Sequence, residues 1–197
     1  MIQIWNVFPY ICRKINSTLM KFPKVLTSNK YKALVDGEIK EISLEDYRGK
    51  YVVIVFYPLD FTFVCPTEVN RFCDLKEEFL KRNALVLFVS CDSVYSHRAW
   101  ASISRENGGI LGVSWPMIWD MKRELCNQFE MFDEENGHPM RGTVILSKDL
   151  DVKHLSINYH AVGRSVSEIL RLIDAITFND ENGEICPVEW KKKMNNH

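Results

Sequence analysis

The amino-acid sequence has no long hydrophobic run and almost no net charge. Its longest apolar run, YVVIVFY at residues 51–57, is far shorter than the roughly 18 to 20 residues that span a bilayer, and it suits a buried strand instead. The formal net charge of −1 provides no electrostatic reason to bind nucleic acid or an anionic membrane. We therefore expect neither nucleic acid nor a membrane among the partners.

Paired-cysteine motifs are also missing, although the chain contains six cysteines. No two of them are three residues apart, so the sequence offers no CxxC dithiol and no spacing typical of a metal site. A disulfide scaffold is not expected either, because such scaffolds belong to short chains that cannot build a core. We predict reduced thiols and no metal or other cofactor. The six are Cys12, Cys65, Cys73, Cys91, Cys126 and Cys186.

Acidic residues are missing from the first 35 positions, which carry six basic side chains. A basic, acid-free leader is typical of an organellar transit peptide and favours a mitochondrial location. The alternative is an N-terminal extension that carries no targeting signal, in a cytoplasmic protein. We place this leader at residues 1–32 and a single domain at residues 33–197, because the rest shows no repeat or flexible linker. The basic residues are Arg13, Lys14, Lys21, Lys24, Lys30 and Lys32.

Strands and helices are predicted to alternate along the domain. Apolar, β-branched segments predict strands at 51–58, 84–91, 143–147 and 152–157, of which the last two form a hairpin around the turn KDLD. Helices are predicted from Pro66 onward, over 93–107, over 121–129 with Asp120 as its cap, and after the capping box of Ser165 and Glu168. This order predicts an α/β fold with a mixed central sheet and helices on both faces, in a thioredoxin-like layout.

The segment FYPLDFTFVCPTE, residues 56–68, places a cysteine between a strand and a helix. Helix N-termini carry unsatisfied N–H groups and a partial positive charge, so a cysteine there is favoured as the nucleophilic thiolate. Thr62, three residues earlier, offers a hydroxyl that can bond the sulfur or a bound oxygen. The residues alone leave two interpretations of Cys65 open, a reactive thiolate and an inert buried thiol.

This segment resembles the peroxidatic loop of the peroxiredoxins, whose pattern PxxxTxxC is met by Pro58, Thr62 and Cys65. NGEICPVEW at 182–190 is similar to the resolving-cysteine segment of the typical 2-Cys subgroup and assigns that role to Cys186. Further similar segments extend the resemblance over about residues 33 to 190: DGEIKEISLEDYRGKYVVIVFYP, DSVYSHRAW, RGTVILS and VGRSVSEILRLIDA.

The resemblance implies a thioredoxin peroxidase acting in antioxidant defence. Cys65 would attack hydrogen peroxide or an organic hydroperoxide and become a sulfenic acid. Cys186 of the partner subunit would then form a disulfide with it, and thioredoxin or a similar dithiol protein would reduce that disulfide. A homodimer follows from this cycle, and members of the family also form decameric rings.

The same resemblance assigns roles around Cys65. Arg141, in MRGTVILS, would hold the thiolate and polarise the peroxide, while Thr62 would bond the peroxide oxygens. Pro58 would shield the pocket from bulk water. Glu68 and Arg164 match family positions that form a network around the active site, in which Arg164 would support the charge near Cys65.

Two departures from the family concern over-oxidation. Sensitive eukaryotic members carry a Gly-Gly-Leu-Gly stretch, whereas GGILG at 108–112 puts Leu111 at the last glycine's place. They also carry a Tyr-Phe pair in a helix after the resolving cysteine, and this sequence shows no such pair. We therefore expect the sulfenate of Cys65 to reach Cys186 quickly, with slow over-oxidation to the sulfinic acid.

Other residues are interpreted as structural, and two further functions stay open. Cys73, Cys91 and Cys126 are expected in the core, and His97 is expected on a helix surface. One alternative function is a redox relay or stress-induced chaperone acting as a ring. Another is a thiol hydrolase, which would need a histidine base near Cys65.

Overall fold

A seven-stranded mixed sheet forms the centre of the computed structural model, which describes residues 22–192. The strand order across the sheet is β2-β1-β5-β4-β3-β8-β9, and β6 and β7 form a separate two-stranded ladder. The strands are β1 (Lys30–Val35), β2 (Glu38–Ser43), β3 (Tyr51–Phe56), β4 (Ala84–Ser90), β5 (Met117–Trp119), β6 (Phe132–Asp133), β7 (His138–Pro139), β8 (Arg141–Leu146) and β9 (Val152–Asn158).

Five α-helices of the described region connect and flank these strands. They are α1 (Cys65–Asp74), α2 (Lys76–Leu80), α3 (Val94–Ala101), α4 (Glu124–Gln128) and α5 (Val166–Asn182). Short 3-10 helices occur at Leu44–Tyr47 and Arg105–Asn107. The predicted capping box at the start of α5 supplies a real cap, because the Ser165 hydroxyl accepts the N–H of Glu168 at 3.3 Å.

The core lies around the middle of the sheet. Every residue of β3, β4 and β8 is buried, which requires both faces of these strands to be covered. β3, β4 and β5 run parallel, while β8 pairs antiparallel with β3 and with β9. The predicted mixed sheet and the predicted hairpin near residues 143–157 are both confirmed.

An antiparallel hairpin at the other edge of the sheet was not predicted. β1 and β2 pair around Asp36 and Gly37, whose φ values of 51° and 79° are both positive. Two consecutive positive φ values make a tight turn that matches the twist of the strands, and Asp-Gly is a typical sequence for it. The dipeptide DG between alternating apolar residues was therefore a usable signal for this hairpin.

The predicted helix over 93–107 is wrong in its second half. α3 ends at Ala101, and the chain continues into the 3-10 helix at Arg105–Asn107 before Gly108 adopts a left-handed conformation. The chain folds back on itself here: the Trp100 indole donates to the Gly108 carbonyl at 3.0 Å, and a Cβ at Gly109 would collide with the Ile103 backbone. Continuing α3 as one helix would lose this packing.

The expected leader lies mostly outside the described residues, as does Cys12. From residue 22 the chain runs along the domain, where Leu26 N–H donates to the side chain of Gln128 at 3.1 Å and Thr27 C=O accepts from Glu45 N–H at 3.1 Å. Within residues 22–192, no helix has the length and apolar character needed to cross a membrane.

Candidate active site around Cys65

Cys65 is held at the junction of a strand and a helix. β3 ends at Phe56, a loop covers residues 57–64, and α1 begins at Cys65 with Pro66 in its first turn. A proline is tolerated there because the first N–H groups of a helix have no intrahelical partner. The helix predicted from Pro66 onward begins one residue earlier, at Cys65, and this residue is fully buried, at 0% exposure.

Arg141, at the start of β8, is the side chain that bonds the sulfur. Its Nη1 lies 3.6 Å from the Cys65 Sγ and donates to the Glu68 carboxylate at 2.8 Å. Its Nε donates to the backbone carbonyl of His160 at 2.6 Å. These contacts hold the guanidinium in one orientation beside the sulfur.

Arg164 fixes the other side of the same carboxylate. Its Nε and Nη2 donate to the two oxygens of Glu68 at 2.9 and 2.7 Å, a bidentate ion pair. Its Nη1 donates to the carbonyls of Phe56 and Gly142 at 2.8 and 2.7 Å. Arg164 therefore ties α1 to the ends of β3 and β8, next to Cys65.

The buried charges of this cluster do not cancel. Glu68, Arg141 and Arg164 have side chains no more than 5% exposed, and one carboxylate faces two guanidiniums that stay protonated in proteins. Burial alone would raise the pKa of Glu68, but hydrogen bonds and charge from Arg164, together with the charge of Arg141, hold that pKa below its usual value. The cluster keeps a net charge of about +1, which a thiolate at Cys65 would neutralise.

Thr62 and Pro58 lie on the loop before Cys65. The Thr62 hydroxyl donates to the Leu59 carbonyl at 3.0 Å, so in this conformation it does not donate to the sulfur. Its oxygen keeps lone pairs that can accept from a bound molecule. Pro58 is buried, consistent with the shielding expected of it.

His97 is not a helix-surface residue, and that prediction is wrong. The ring is fully buried, with Nδ1 2.9 Å from the Asp60 carboxylate and Nε2 3.4 Å from the Ile118 carbonyl. The same carboxylate accepts the hydroxyls of Tyr57 at 2.7 Å and Ser96 at 2.8 Å. Helical periodicity did not reveal this, because the partner carboxylate is 37 positions away on the loop that precedes Cys65.

A second carboxylate continues this network toward β4. Asp92 accepts the backbone N–H of Asp60 at 3.0 Å and the Ser90 hydroxyl at 2.8 Å. Burial, followed by the nearby charge of Asp60, raises the pKa of Asp92. Asp60 therefore connects the loop between β3 and Cys65 to α3, and Asp92 connects the same loop to the end of β4.

Cys186 lies in a different environment from Cys65. It follows α5, is partly buried, and its Sγ donates to the Ala175 carbonyl at 3.4 Å. The segment packs on α5 through Trp190, whose ring centroid lies 5.0 Å from the ring centroid of Phe178. Both thiols are free, so the site residues predicted from sequence divide into a cluster around Cys65 and a separate segment that carries Cys186.

Comparison with known proteins gives consistent matches to one family. The model of the AhpC/TSA family matches residues 25–155, which is more than half of the chain. A protein of Encephalitozoon cuniculi (strain GB-M1), provisionally named as a thioredoxin peroxidase, is 75% identical over 172 residues, covering 87% of this chain and 97% of that protein. A thioredoxin peroxidase of Echinococcus granulosus is 46% identical over 168 residues, covering 85% and 87%.

A solved structure extends the likeness to the fold. The reduced 2-Cys peroxiredoxin of Plasmodium vivax superimposes with a TM-score of 0.80 at 36% identity, covering 83% of this chain and 85% of that one. The predicted thioredoxin-like fold class is confirmed by this match.

Proposed function

The chain belongs to the AhpC/TSA family, and from that premise we propose that it is a thioredoxin-dependent thiol peroxidase. The substrates are hydrogen peroxide and organic hydroperoxides. Cys65 reacts with the peroxide, and the oxidised enzyme is reduced by thioredoxin or a similar dithiol protein. The observation that carries this assignment is the Arg141 guanidinium, held 3.6 Å from the Cys65 sulfur in a buried cluster of net positive charge.

The chemical step needs both a nucleophile and a stabilised leaving group. The Cys65 thiolate attacks one peroxide oxygen, the O–O bond breaks, and water or an alcohol leaves. Negative charge moves from the sulfur to the departing oxygen, so a fixed cation beside both atoms stabilises the transition state more than the ground state. Arg141 is held for this role by Glu68 and by the His160 carbonyl.

Thr62 and Pro58 shape the place where the peroxide sits. Thr62 lies three residues before the cysteine with its hydroxyl oxygen available as an acceptor. Pro58 excludes water beside the sulfur, which strengthens the electrostatic contacts within the pocket.

Cys186 resolves the sulfenic acid, and the partner subunit supplies it. Cys65 is fully buried within the first turn of α1, so a disulfide to it requires this turn to open first. Cys186 lies between Ile185 and Val188, which are 87% and 92% exposed, an apolar surface that a second subunit would cover. For this reason the proposal includes a homodimer. It also includes a ring in which several such dimers assemble.

A non-reducing gel tests the cycle directly. The reduced protein is treated with one equivalent of hydrogen peroxide beside Cys65→Ser and Cys186→Ser. The expected result is a covalent dimer in the wild type and none in either variant. A wild type that stays monomeric while Cys65 oxidises would contradict resolution by the partner's cysteine.

A mitochondrial location also belongs to the proposal, on the strength of the basic, acid-free leader. Residues 1–35 fused to a fluorescent protein should direct it to mitochondria. The matched control replaces Arg13 and Lys14 by Glu. A fusion that stays in the cytoplasm would favour the alternative location.

A further inference from the structure

Cys91 and Cys126 lie at the same edge of the sheet, where the parallel strands end. Cys91 directly follows β4, and the neighbouring strand β5 ends at Trp119, whose register partner is Ser90. Asp120 N–H donates to the Ser90 carbonyl at 2.9 Å, so the chain segments just beyond the two strands lie side by side.

Asp120 also brings α4 to this edge. Its carboxylate accepts the backbone N–H groups of Leu125 at 3.2 Å and of Cys126 at 2.8 Å, so it caps the first turn of the helix although Arg123 occupies the N-cap position. Because the backbone N–H of Asp120 bonds the Ser90 carbonyl while its carboxylate holds Cys126 N–H, Cys126 lies beside the end of β4, 35 positions along the chain from Cys91. The contact could not be read from the sequence, because it depends on β5 lying beside β4.

The two thiols differ in accessibility and in proton affinity. Cys126 is fully buried, whereas Cys91 is partly exposed. A hydrogen bond from Cys126 lowers the pKa of the Cys91 thiol, and the same bond, with burial, raises the pKa of Cys126. Because Cys91 is also the accessible thiol of the two, it is placed to meet a peroxide first, with the buried Cys126 behind it.

We propose that Cys91 and Cys126 form a second redox-active dithiol, separate from Cys65 and Cys186, which closes into an intramolecular disulfide on oxidation by a hydroperoxide. No group of three or more Cys, His, Asp or Glu side chains in residues 22–192 is placed to bind a metal, so a dithiol suits the pair better than a metal site.

The reaction balances in two steps. The Cys91 thiolate attacks a peroxide oxygen, the O–O bond breaks, and an alcohol or water leaves, so that Cys91 becomes a sulfenic acid. The Cys126 sulfur then attacks the Cys91 sulfur, the S–O bond breaks, and the departing hydroxide takes the Cys126 proton as water. Two thiols are oxidised to one disulfide while one peroxide is reduced by two electrons.

The pair lies next to the anchor of the peroxidatic loop. Cys91 immediately precedes Asp92, whose carboxylate holds the backbone N–H of Asp60. A covalent link from Cys91 to α4 would therefore form one residue away from the contact that positions the loop before Cys65.

Peptide mapping in a Cys65→Ser/Cys186→Ser variant tests the proposal independently of the proposed peroxidase cycle. The protein is treated with excess hydrogen peroxide, blocked with an alkylating reagent and digested with trypsin. Cys91 falls in the peptide 83–98 and Cys126 in the peptide 124–141, each with a single cysteine. The expected product is a cross-link of these two peptides in monomeric protein, reversed by dithiothreitol.

Single substitutions added to that variant supply the controls. Cys126→Ser should abolish the cross-link and leave Cys91 as a sulfenic acid that dimedone traps, whereas Cys91→Ser should leave Cys126 unoxidised. The peptide 72–76, with Cys73, reports the oxidation of a partly exposed thiol in the same sample. The proposal is overturned if both thiols stay alkylatable while Cys73 oxidises, or if the cross-link forms only between two chains.

Discussion

Arg141 is the residue whose identity matters most for the proposed reaction. It contacts the Cys65 sulfur, the Glu68 carboxylate and the His160 carbonyl with two nitrogens of one planar group. A lysine carries the same charge as a single point and cannot keep all three contacts, so the two residues are not interchangeable here.

Arg141→Lys should therefore lower the second-order rate constant for hydrogen peroxide by about 10²- to 10³-fold, the loss typical of removing one fixed transition-state donor. Stopped-flow fluorescence or competition with a second peroxidase measures this rate constant. Arg48→Lys is the matched control, because Arg48 pairs with Glu45 on the surface. Equal rate constants for wild type and Arg141→Lys would contradict the role of Arg141.

Thr62 tests whether a hydroxyl is required beside the sulfur. Thr62→Val keeps the size and β-branching of the side chain but removes the oxygen, whereas Thr62→Ser keeps the oxygen. The rate constant for peroxide should fall by about 10²-fold or more in the valine variant and stay near wild type in the serine variant. Similar rates for valine and serine would show that Thr62 acts through packing.

The loop between β3 and α1 is held by the buried carboxylate of Asp60 and the partly buried carboxylate of Asp92. Asp60 accepts from Tyr57, Ser96 and His97, and its own N–H is held by Asp92. The substitution Asp60→Asn leaves one side-chain oxygen as an acceptor and replaces the other with an NH₂ group, which cannot accept from these donors. Unpaired buried donors cost about 1 to 3 kcal/mol each.

Asp60→Asn should thus lower the free energy of unfolding by about that amount and also slow the peroxide reaction, although Asp60 does not contact the sulfur. Urea unfolding and the peroxide rate constant are measured together. Asp149→Asn, on an exposed turn, is the control. A destabilised variant with an unchanged rate constant would mean that the network supports the fold alone.

The short helix α4 depends on its cap. Five residues are too few for a stable isolated helix, so α4 relies on packing and on the two backbone bonds to Asp120. Burial raises the pKa of this carboxyl, while backbone bonds from Cys126, Leu125 and Glu124 oppose the shift.

Asp120→Ala should lower the free energy of unfolding by about 1 to 2 kcal/mol, as for a lost helix cap. Denaturant unfolding measures the change. Glu124→Ala, which removes an exposed side chain from the first turn of α4, should change stability by much less. An equal loss in both variants would contradict the capping role of Asp120.

At the scale of the whole molecule, the buried charge cluster links stability to pH. The pKa of Glu68 is lowered in the folded state, so this residue contributes stability above its unfolded pKa, about 4.3. That contribution is lost as the pH falls through the lower folded pKa.

Glu68→Gln should accordingly be less stable than the wild type at neutral pH, and the difference should shrink below about pH 4. Thermal or urea unfolding between pH 3 and 7 measures it. Glu78→Gln, which removes the partner of the 67% exposed Lys81 on α2, should show a much smaller difference because solvent-exposed ion pairs contribute little. A pH-independent difference for Glu68→Gln would contradict the assignment.

The slow over-oxidation expected from the GGILG segment stays a prediction. Leu111 is exposed, and the segment between Gly108 and Gly112 packs against Trp100 and Ile103. Mass spectrometry of Cys65 at modest peroxide excess would reveal abundant sulfinate if the expectation is wrong.

Contiguous stretches of sequence determined β3, the start of α1 and the start of α5, and with them the position of Cys65. The β-branched run of β3, the proline after Cys65 and the capping residues of α5 act within a few positions, so they are visible without a structure. The β1–β2 hairpin carried an equally local signal in Asp36-Gly37. Local sterics and hydrogen bonding favour each of these features, so the neighbouring residues signal each one.

The tertiary structure alone decided which distant side chains meet. Arg141 and Cys65 are 76 positions apart, and they come together because β8 pairs antiparallel with β3. The burial of His97 and the approach of Cys126 to Cys91 also depend on the order of strands in the sheet. Strand order is settled by burial of the whole core rather than by neighbouring residues, which is why these contacts could not be deduced from local sequence patterns.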